Sequence, residues 1–337
     1  MKRAIFAFFL FPLAFLGALP ALAANPSSTP SGRQKGHLVL YTSQPDQIAA
    51  ETVAAFHAVD PAVDVIVFRS GTTQVMNKLE AEFLAGHPQP DVLLIADATS
   101  MERLRQQGRL APDPGVNVSA FPKSLYDPNR TWFGTKLITT GIVYNTRAPF
   151  IPRSWSDLLK PAARGEVVLP SPLYSGAALI TAGAFAQDAK LGPDYLTRLA
   201  ANGASAVSGN GGVLAAVAGG EKMFGLLVDF MALAAKKQGS PVGFIFPKEG
   251  VPAVTEPVAI LKTAKNPAAA RAFVAFLLSV RGQALAARQG FLPARRGVAP
   301  PPSYPPMSEI RLLPVDLAAI LAHRRAIEEN FSDAFGG

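Results

Sequence analysis

The sequence of 337 residues contains no cysteine. This absence excludes disulfide bonds, thiolate metal sites and a cysteine nucleophile. Histidine is scarce as well, and none of the four histidines belongs to a cluster with metal-ligand spacing. The chain also lacks a Gly-x-Ser-x-Gly elbow, a Walker loop and a His-x-His pair. Catalytic residues, a bound metal and a cofactor are therefore not expected.

Runs of basic residues are missing too. The formal net charge is +8, from 32 lysines and arginines against 24 aspartates and glutamates, but the positive charges are dispersed. Arg295-Arg296 and Arg324-Arg325 are only pairs, and no aromatic residue interleaves a basic run. A nucleic-acid partner is therefore not expected, whereas a small anionic or zwitterionic ligand suits a moderately basic chain.

A long apolar run occurs only near the first residue. Lys2 and Arg3 precede an apolar segment from Ala4 to Leu19, and Ala21-Leu22-Ala23 has the small-x-small pattern of a signal-peptidase site. This arrangement predicts a signal peptide over residues 1–23 and export to a bacterial periplasm. No later segment is apolar over a length that spans a bilayer. The remaining chain is large enough for two domains, and we expect a monomer.

What the chain does have is hydroxyl groups at predicted turns, above all in the stretch from Phe68 to Gln74. Val63 to Phe68 predicts a buried β-strand, and the apolar spacing after Gln74 predicts a helix. Ser70-Gly71-Thr72-Thr73 then lies where the first helical N–H groups have no intrahelical partner and the helix dipole favours negative charge. Such a turn is a candidate anion site. The alternative is that Thr72 or Thr73 only caps the helix.

Two more strands of the first half end in polar residues. His37 to Tyr41 is followed by Thr42 and Ser43, and Val92 to Ala96 is followed by Asp97. In open α/β sheets, ligands bind at the carboxyl ends of the strands. These residues are therefore candidate ligand contacts, although Asp97 has the alternative of capping the next helix.

The second half repeats this plan. Val167 to Leu169 predicts a strand, and Tyr174-Ser175-Gly176 leads into a helix from Ala177. Ser208 to Gly212 is a third polar turn before a helix, and Met223 to Val228 predicts a strand that ends at Asp229. Between the two halves, the β-branched segment from Lys136 to Thr146 contains Thr139 and Thr140 and is long enough to run from one lobe into another.

Nine short stretches together resemble a known family. They are Leu38–Gln44 (LVLYTSQ), Ser70–Glu82 (SGTTQVMNKLEAE), Pro90–Asp97 (PDVLLIAD), Gly141–Thr146 (GIVYNT), Ser154–Leu159 (SWSDLL), Ser175-Gly176, Ala215–Glu221 (AAVAGGE), Pro247–Gly250 (PKEG) and Phe276–Gln283 (FLLSVRGQ). In this order they resemble the bacterial extracellular solute-binding proteins of ATP-driven importers. The most similar subgroup covers ferric-ion, hexose-phosphate and aminoethylphosphonate binders.

The resemblance implies the α/β fold of a two-lobe periplasmic binding protein, similar to type II, with the ligand in a cleft between the lobes. It implies two crossings of the chain, near Thr139-Thr140-Gly141 and near Pro252 to Glu256. Lobe 1 would then comprise residues 37–139 and 255–300, and lobe 2 residues 140–254 and 301–337. The implied partner is an inner-membrane ABC permease.

Iron is one ligand class that the resemblance raises. Ferric-ion binders of this subgroup hold the metal with an adjacent tyrosine pair, and Asp229-Phe230 stands at the corresponding place. No two tyrosines are adjacent anywhere in this chain. Because Fe(III) favours phenolate and carboxylate oxygens, the missing pair argues against iron by this route. An oxygen site that uses Asp97, Asp229 and Tyr174 stays open as an alternative.

A phosphonate or organophosphate fits the remaining donors better. The hydroxyl and backbone donors at the turns would surround a phosphoryl or phosphonyl group, while Asp97 and Asp229 would accept hydrogen bonds from an ammonium or from sugar hydroxyls. The best candidate is 2-aminoethylphosphonate. The predicted ligand-binding residues are Thr42, Ser43, Ser70, Gly71, Thr72, Thr73, Asp97, Thr139, Thr140, Tyr174, Ser175, Gly176 and Asp229. Several of the hydroxyls have the alternative of forming turns or caps only.

The rival class is an enzyme, for instance a periplasmic phosphatase. Phosphoryl transfer needs metal ligands or a nucleophile with an activating base. The sequence shows no motif for either, so binding without turnover is the expected function.

Overall fold

The structure is a computed structural model that describes residues 36–336. The predicted signal peptide, residues 1–23, lies outside the described residues. The helices are α1 Asp46–His57, α2 Thr72–Leu84, α3 Ala98–Gln106, α4 Gly176–Gln187, α5 Tyr195–Ala201, α6 Asn210–Gly219, α7 Asp229–Lys237, α8 Pro267–Leu278, α9 Val280–Arg288 and α10 Leu317–Phe335. The strands are β1 Gly36–Thr42, β2 Val63–Arg69, β3 Val92–Leu94, β4 Leu110–Ala111, β5 Trp132–Asn145, β6 Val167–Pro170, β7 Ser205–Val207, β8 Phe224–Val228, β9 Val242–Ile245, β10 Ala253–Leu261 and β11 Leu292–Pro293.

The strands form a curled mixed sheet whose main path is β2-β1-β3-β10-β5-β8-β6-β7. The strands β1, β2 and β3 are parallel to one another, and β10 runs antiparallel to β3 and β5. The long strand β5 changes partners along its length. From Trp132 to Thr139 it pairs with β10, and from Thr140 to Asn145 it pairs with β8 and β9. One strand therefore belongs to both halves of the sheet.

The strand β2 differs from its prediction. Its apolar run was expected to be buried, but the side chains of Ile66 and Val67 are 54% and 38% exposed. The reason is strand order, because β2 stands at the end of the sheet path and pairs with β1. In contrast, the short apolar strand β3 is fully buried between β1 and β10. An apolar run of this kind does not reveal whether its strand is central or at an edge.

Aromatic side chains pack the helices onto both halves of the sheet. Phe56 of α1 meets Phe273 of α8 edge to face, with ring centroids 5.1 Å apart. In the other half, Phe185 of α4 lies between Trp155 and Tyr195, with centroids 4.8 and 5.1 Å away. Burying each of these large side chains contributes about 1.5–3 kcal/mol. The strand ends are thereby held in fixed positions.

The long helix α10 packs against α3, α4 and α5. Its Ile320 fills the space above Gly183 of α4, where a Cβ atom would come within 2.6 Å of the isoleucine side chain. The helix therefore joins elements of both halves of the sheet. No single helix among residues 36–336 is long and apolar enough to cross a membrane, while α8 and α9, bent by 61°, pass that test only as a pair.

Candidate ligand-binding site

A cavity of about 370 Å³ lies where β5 changes partners. Five helices begin at its wall: α1 at Pro45 and Asp46, α2 at Gly71 and Thr72, α4 at Ser175, α6 at Gly209 to Gly212, and α7 at Phe230 and Met231. Each helix start carries backbone N–H groups without intrahelical partners and the positive end of a helix dipole. The cavity therefore favours negative charge.

Three of these helix starts have no side-chain cap in the described part of the chain. Among residues 36–336, no side chain caps the first turn of α1, α2 or α6. The start of α4 is different, because the Ser175 hydroxyl accepts a hydrogen bond from the Ala178 N–H at 3.3 Å. At α7, the Asp229 carboxylate accepts from the Phe230 N–H at 2.7 Å. The Thr73 N–H of α2 donates to the Tyr174 carbonyl and the Gly212 N–H of α6 to the Gly209 carbonyl. The free donors are therefore the remaining first-turn N–H groups of α1, α2 and α6.

The ring of Tyr174 lies between two of these turns. A Cβ atom at Gly71 would come within 2.5 Å of the tyrosine ring, and one at Gly209 within 3.0 Å. The Thr73 N–H also donates to the Tyr174 carbonyl at 3.4 Å. Gly71 has an ordinary extended backbone, with φ of −60°. Glycine is thus needed there for the close approach of the ring and not for its backbone angle.

Arg69 places a positive charge at the wall. Its Nε donates to the Gln44 carbonyl at 2.8 Å, which orients the guanidinium. Asp46 is 3.9 Å from Nε, but its side chain is mostly exposed, so the pair contributes little. Arg69 was not among the predicted ligand-binding residues, although it directly precedes the predicted turn at Ser70.

Glu256 places a negative charge in the same wall. It is buried, and its Oε2 lies 2.7 Å from Nζ of the buried Lys136. Gln44 Nε2 donates to the same Oε2 at 2.9 Å. Glu256 was not among the predicted ligand-binding residues, because the residues that hold it lie far away along the chain.

Comparison with known proteins assigns the family. Residues 87–321, more than half of the chain, match the family described as bacterial extracellular solute-binding protein. The chain belongs to this family. Members of the family are transport proteins that deliver a small ligand to a membrane ABC permease, and the family implies a periplasmic location. The resemblance inferred from the nine sequence stretches is thereby confirmed.

Solved structures confirm the two-lobe α/β fold of this solute-binding protein. The periplasmic binding protein AfuA from Actinobacillus pleuropneumoniae, with exogenous fructose-6-phosphate bound, is 24% identical, with a TM-score of 0.81 over 90% of this chain and 99% of that one. Iron-bound HitA from Pseudomonas aeruginosa is 24% identical, with a TM-score of 0.77 over 88% and 99%. An uncharacterized protein of Haemophilus influenzae is 28% identical over 281 residues, 80% of each chain.

The cavity of the solute-binding protein gathers five of the predicted ligand-binding residues. They are Ser43, Gly71, Thr72, Tyr174 and Ser175. The other eight lie outside the wall that the described residues form, and they are Thr42, Ser70, Thr73, Asp97, Thr139, Thr140, Gly176 and Asp229. Some of them support the wall from behind, since the Thr42 hydroxyl donates to the Leu94 carbonyl at 2.7 Å and fixes the turn before Ser43. Asn210 lines the cavity as well. The sequence leaves two alternatives open for Asn210-Gly211-Gly212, a turn or a further donor to the ligand.

Asp97 serves as the N-cap of α3. Its fully buried carboxylate accepts hydrogen bonds from both the N–H and the hydroxyl of Thr99 and of Ser100, at 2.5–3.2 Å. Arg324 of α10 adds an ion pair at 3.4 Å. All of these partners belong to the protein, so the structure matches the capping alternative and does not bring Asp97 to the cavity.

Asp229 is buried behind the wall as well. It accepts from the N–H and the hydroxyl of Thr139, at 2.9 and 2.6 Å. Burial raises the pKa of this carboxyl to about 6, and the hydrogen bonds from Thr139 and Phe230 oppose that shift. The neighbouring Thr140 hydroxyl is 3.0 Å from the hydroxyl of Thr181. The structure therefore uses Asp229, Thr139 and Thr140 to join β5 to α7 and α4.

Proposed function

We propose that this solute-binding protein captures a small phosphonate or organophosphate, with 2-aminoethylphosphonate as the best candidate, and delivers it as a monomer to an ABC permease. The observation that carries the proposal is the meeting of three uncapped helix starts and Arg69 at one cavity. A phosphonyl group has three acceptor oxygens and carries up to two negative charges. Backbone N–H groups at helix starts match both properties.

The size of the cavity agrees with a small ligand. Its volume of about 370 Å³ lies at the lower end of the range for ligand pockets in proteins, about 300–1,000 Å³. The wall offers the Thr72 hydroxyl and one arginine as further donors. A small molecule with one tetrahedral anionic group would use these donors together.

Iron is supported less well by the donors at the wall. Among the described residues, Tyr174 is the single phenol at the wall. Glu256 is already paired with Lys136, and Asp46 is mostly exposed. Within residues 36–336, no three His, Cys, Asp or Glu side chains form a group suited to a metal ion. The iron bound by HitA is a property of that protein. A phosphatase is supported least, because the wall formed by the described residues holds no histidine that would serve as a base.

We also propose that the two lobes follow the boundaries predicted from the sequence, residues 37–139 with 255–300 and residues 140–254 with 301–337. The partner change of β5 between Thr139 and Thr140 supports the first boundary. The cavity would then lie at the junction of the lobes, where closure buries the ligand.

Isothermal calorimetry with the mature protein tests the ligand class. The panel comprises 2-aminoethylphosphonate, ethylphosphonate, a hexose phosphate, inorganic phosphate and Fe(III). We expect one-to-one binding of at least one phosphonate or phosphate ester without turnover. The Arg69→Gln variant should bind each anion about tenfold to a hundredfold more weakly, because it loses a charge-assisted hydrogen bond. Tight binding of Fe(III) alone would overturn the proposal.

A further inference from the structure

Glu256 owes its position in the wall to an irregularity of β10. The pairing of β10 with β5 shifts register between Thr255 and Pro257, so Glu256 is the residue at the bulge. The Thr135 hydroxyl fixes the bulge by donating to the Glu256 carbonyl at 2.7 Å. Bulges of this kind redirect a side chain and occur often beside binding sites. Here the bulge belongs to a residue whose side chain lines the cavity.

Two buried side chains contact the carboxylate of Glu256. Both Lys136 Nζ and Gln44 Nε2 contact Oε2, at 2.7 and 2.9 Å, so Oε1 is left to accept from a ligand. Lys136 Nζ also lies 4.1 Å from the ring centroid of Phe291, which is a wall residue. The ring thus packs against Lys136, and Lys136 and Gln44 fix the carboxylate. No donor from the cavity side is needed.

Gln44 provides a second acceptor beside this carboxylate. Its side chain is 1% exposed, and its Oε1 has no hydrogen-bond partner among residues 36–336. Its neighbours Ser43 and Pro45 both line the cavity, whereas Gln44 itself is not part of the wall that the described residues form. A buried acceptor without a partner is costly, and a ligand that brings a donor removes this cost.

We propose that Glu256, supported by the buried Gln44 next to it, forms an acceptor subsite for a hydroxyl or ammonium group at the opposite end of the ligand from its anionic group. The inference deepens the proposed function and rests on it. The helix starts and Arg69 bind the anionic end, while Glu256 repels any second anion. The subsite thus selects a small anion that carries a hydrogen-bond donor. It takes the part that the sequence analysis gave to Asp97 and Asp229.

Three ligands of almost equal size test the subsite in the unchanged protein. They are 2-aminoethylphosphonate, 2-hydroxyethylphosphonate and ethylphosphonate, which carry an ammonium, a hydroxyl and no donor. Calorimetry should show that at least one donor-bearing ligand binds about tenfold to a hundredfold more tightly than ethylphosphonate. The ratio of the other two affinities tells whether the subsite prefers an ammonium or a hydroxyl.

The outcomes separate this inference from the proposed function. Equal affinities for all three phosphonates would overturn the acceptor subsite and leave the anion site intact. No binding of any phosphonate or phosphate ester would overturn both. A preference for ethylphosphonate would also overturn the subsite, because a carboxylate acceptor cannot favour a ligand without a donor.

Two variants assign the preference to these residues. Glu256→Gln should weaken the binding of 2-aminoethylphosphonate about tenfold to a hundredfold relative to that of ethylphosphonate, which loses no hydrogen bond in this variant. Gln44→Met leaves the ion pair between Glu256 and Lys136 intact. It should weaken the binding of the donor-bearing ligands only. Glu329→Gln on α10, outside the cavity, is the control and should bind all three as the unchanged protein does.

Glu256→Gln leaves the buried Lys136 without its counter-charge, which can prevent folding. Gln44→Met serves as the second variant for this reason. If Glu256→Gln does not fold, the result for Gln44→Met decides. Equal losses for all three ligands in the folded variants, or no loss in either, would overturn the assignment to Glu256 and Gln44.

Discussion

Arg324 of α10 reaches Asp97 at the start of α3, with Nη1 3.4 Å from Oδ2. The arginine is largely buried and also lies 3.2 Å from the Ser100 hydroxyl. Asp97 directly follows Ala96, which lines the cavity, and a Cβ at Gly176 of α4 would meet the Ala96 carbonyl at 2.7 Å. One ion pair therefore holds α10 against the start of α3, next to the wall residue Ala96.

Replacing Arg324 should reveal the contribution of this pair. In Arg324→Met, the buried Asp97 keeps its cap hydrogen bonds but loses its counter-charge, so we expect the free energy of unfolding to fall by about 1–3 kcal/mol. Arg325→Met is the matched control on the same helix, because Arg325 is 91% exposed and pairs only with the exposed Glu329 among the described residues. Chemical denaturation measures both variants. Equal stabilities of the two would contradict the role of the pair.

The pKa of Asp229 predicts a pH dependence of stability. Because the folded pKa is raised from 3.8 to about 6, the folded state binds a proton that the unfolded state has lost. Asp229 thus contributes about 3 kcal/mol to the free energy of unfolding below pH 4. This contribution is lost as the pH rises through 6. Asn at this position does not titrate, so Asp229→Asn should become more stable relative to the unchanged protein between pH 4.5 and 7.

Denaturation curves at several pH values measure this difference. The comparison with the variant is essential, because the lowered pKa values of Glu82, Glu102 and Asp157 give the opposite slope in both proteins. A constant difference between the two proteins over this pH range would show that Asp229 is ionised throughout.

Local patterns were enough to predict the polar turns. Gly71, Thr72, Tyr174 and Ser175 were identified because a strand, a hydroxyl or glycine and a helix follow one another within a few residues. The helix start that results is a local property of the chain. These four residues line the cavity, and their contact with a ligand stays a prediction.

The carboxylates could not be assigned in the same way. Asp97 follows the end of β3, and Glu256 interrupts the pairing of β10. Yet Asp97 caps a helix, whereas Glu256 lines the cavity. The difference depends on the register of β10 against β5 and on a lysine 120 positions away, and neither is visible in a local pattern. The exposure of β2 has the same cause, since strand order is a property of the whole sheet.

Gly176 should tolerate no side chain. Its missing Cβ faces the Ala96 carbonyl and the Asp97 side chain, both at 2.7 Å. In Gly176→Ala, α4 must shift, so we expect a loss of stability of about 1–3 kcal/mol and weaker binding of every phosphonate. Gly219→Ala is the matched control, because nothing lies within 4 Å of its added methyl group in the described part of the chain. Calorimetry that shows identical affinities for the two variants would contradict the close packing of α4 against the cavity.

The ion pair between Arg324 and Asp97 also predicts how the protein moves. If the chain bends between Thr139 and Thr140, where β5 changes partners, the lobes open without ligand and close around it. Under the proposed lobe boundaries, Asp97 belongs to one lobe and Arg324 to the other, so their ion pair would join the lobes. Arg324→Met should therefore favour the open form, and Arg325→Met should not. Small-angle scattering should then give a larger radius of gyration for free Arg324→Met than for the unchanged protein, and equal values once a phosphonate saturates both. An unchanged radius in the presence of a ligand that binds by calorimetry would show that binding proceeds without closure.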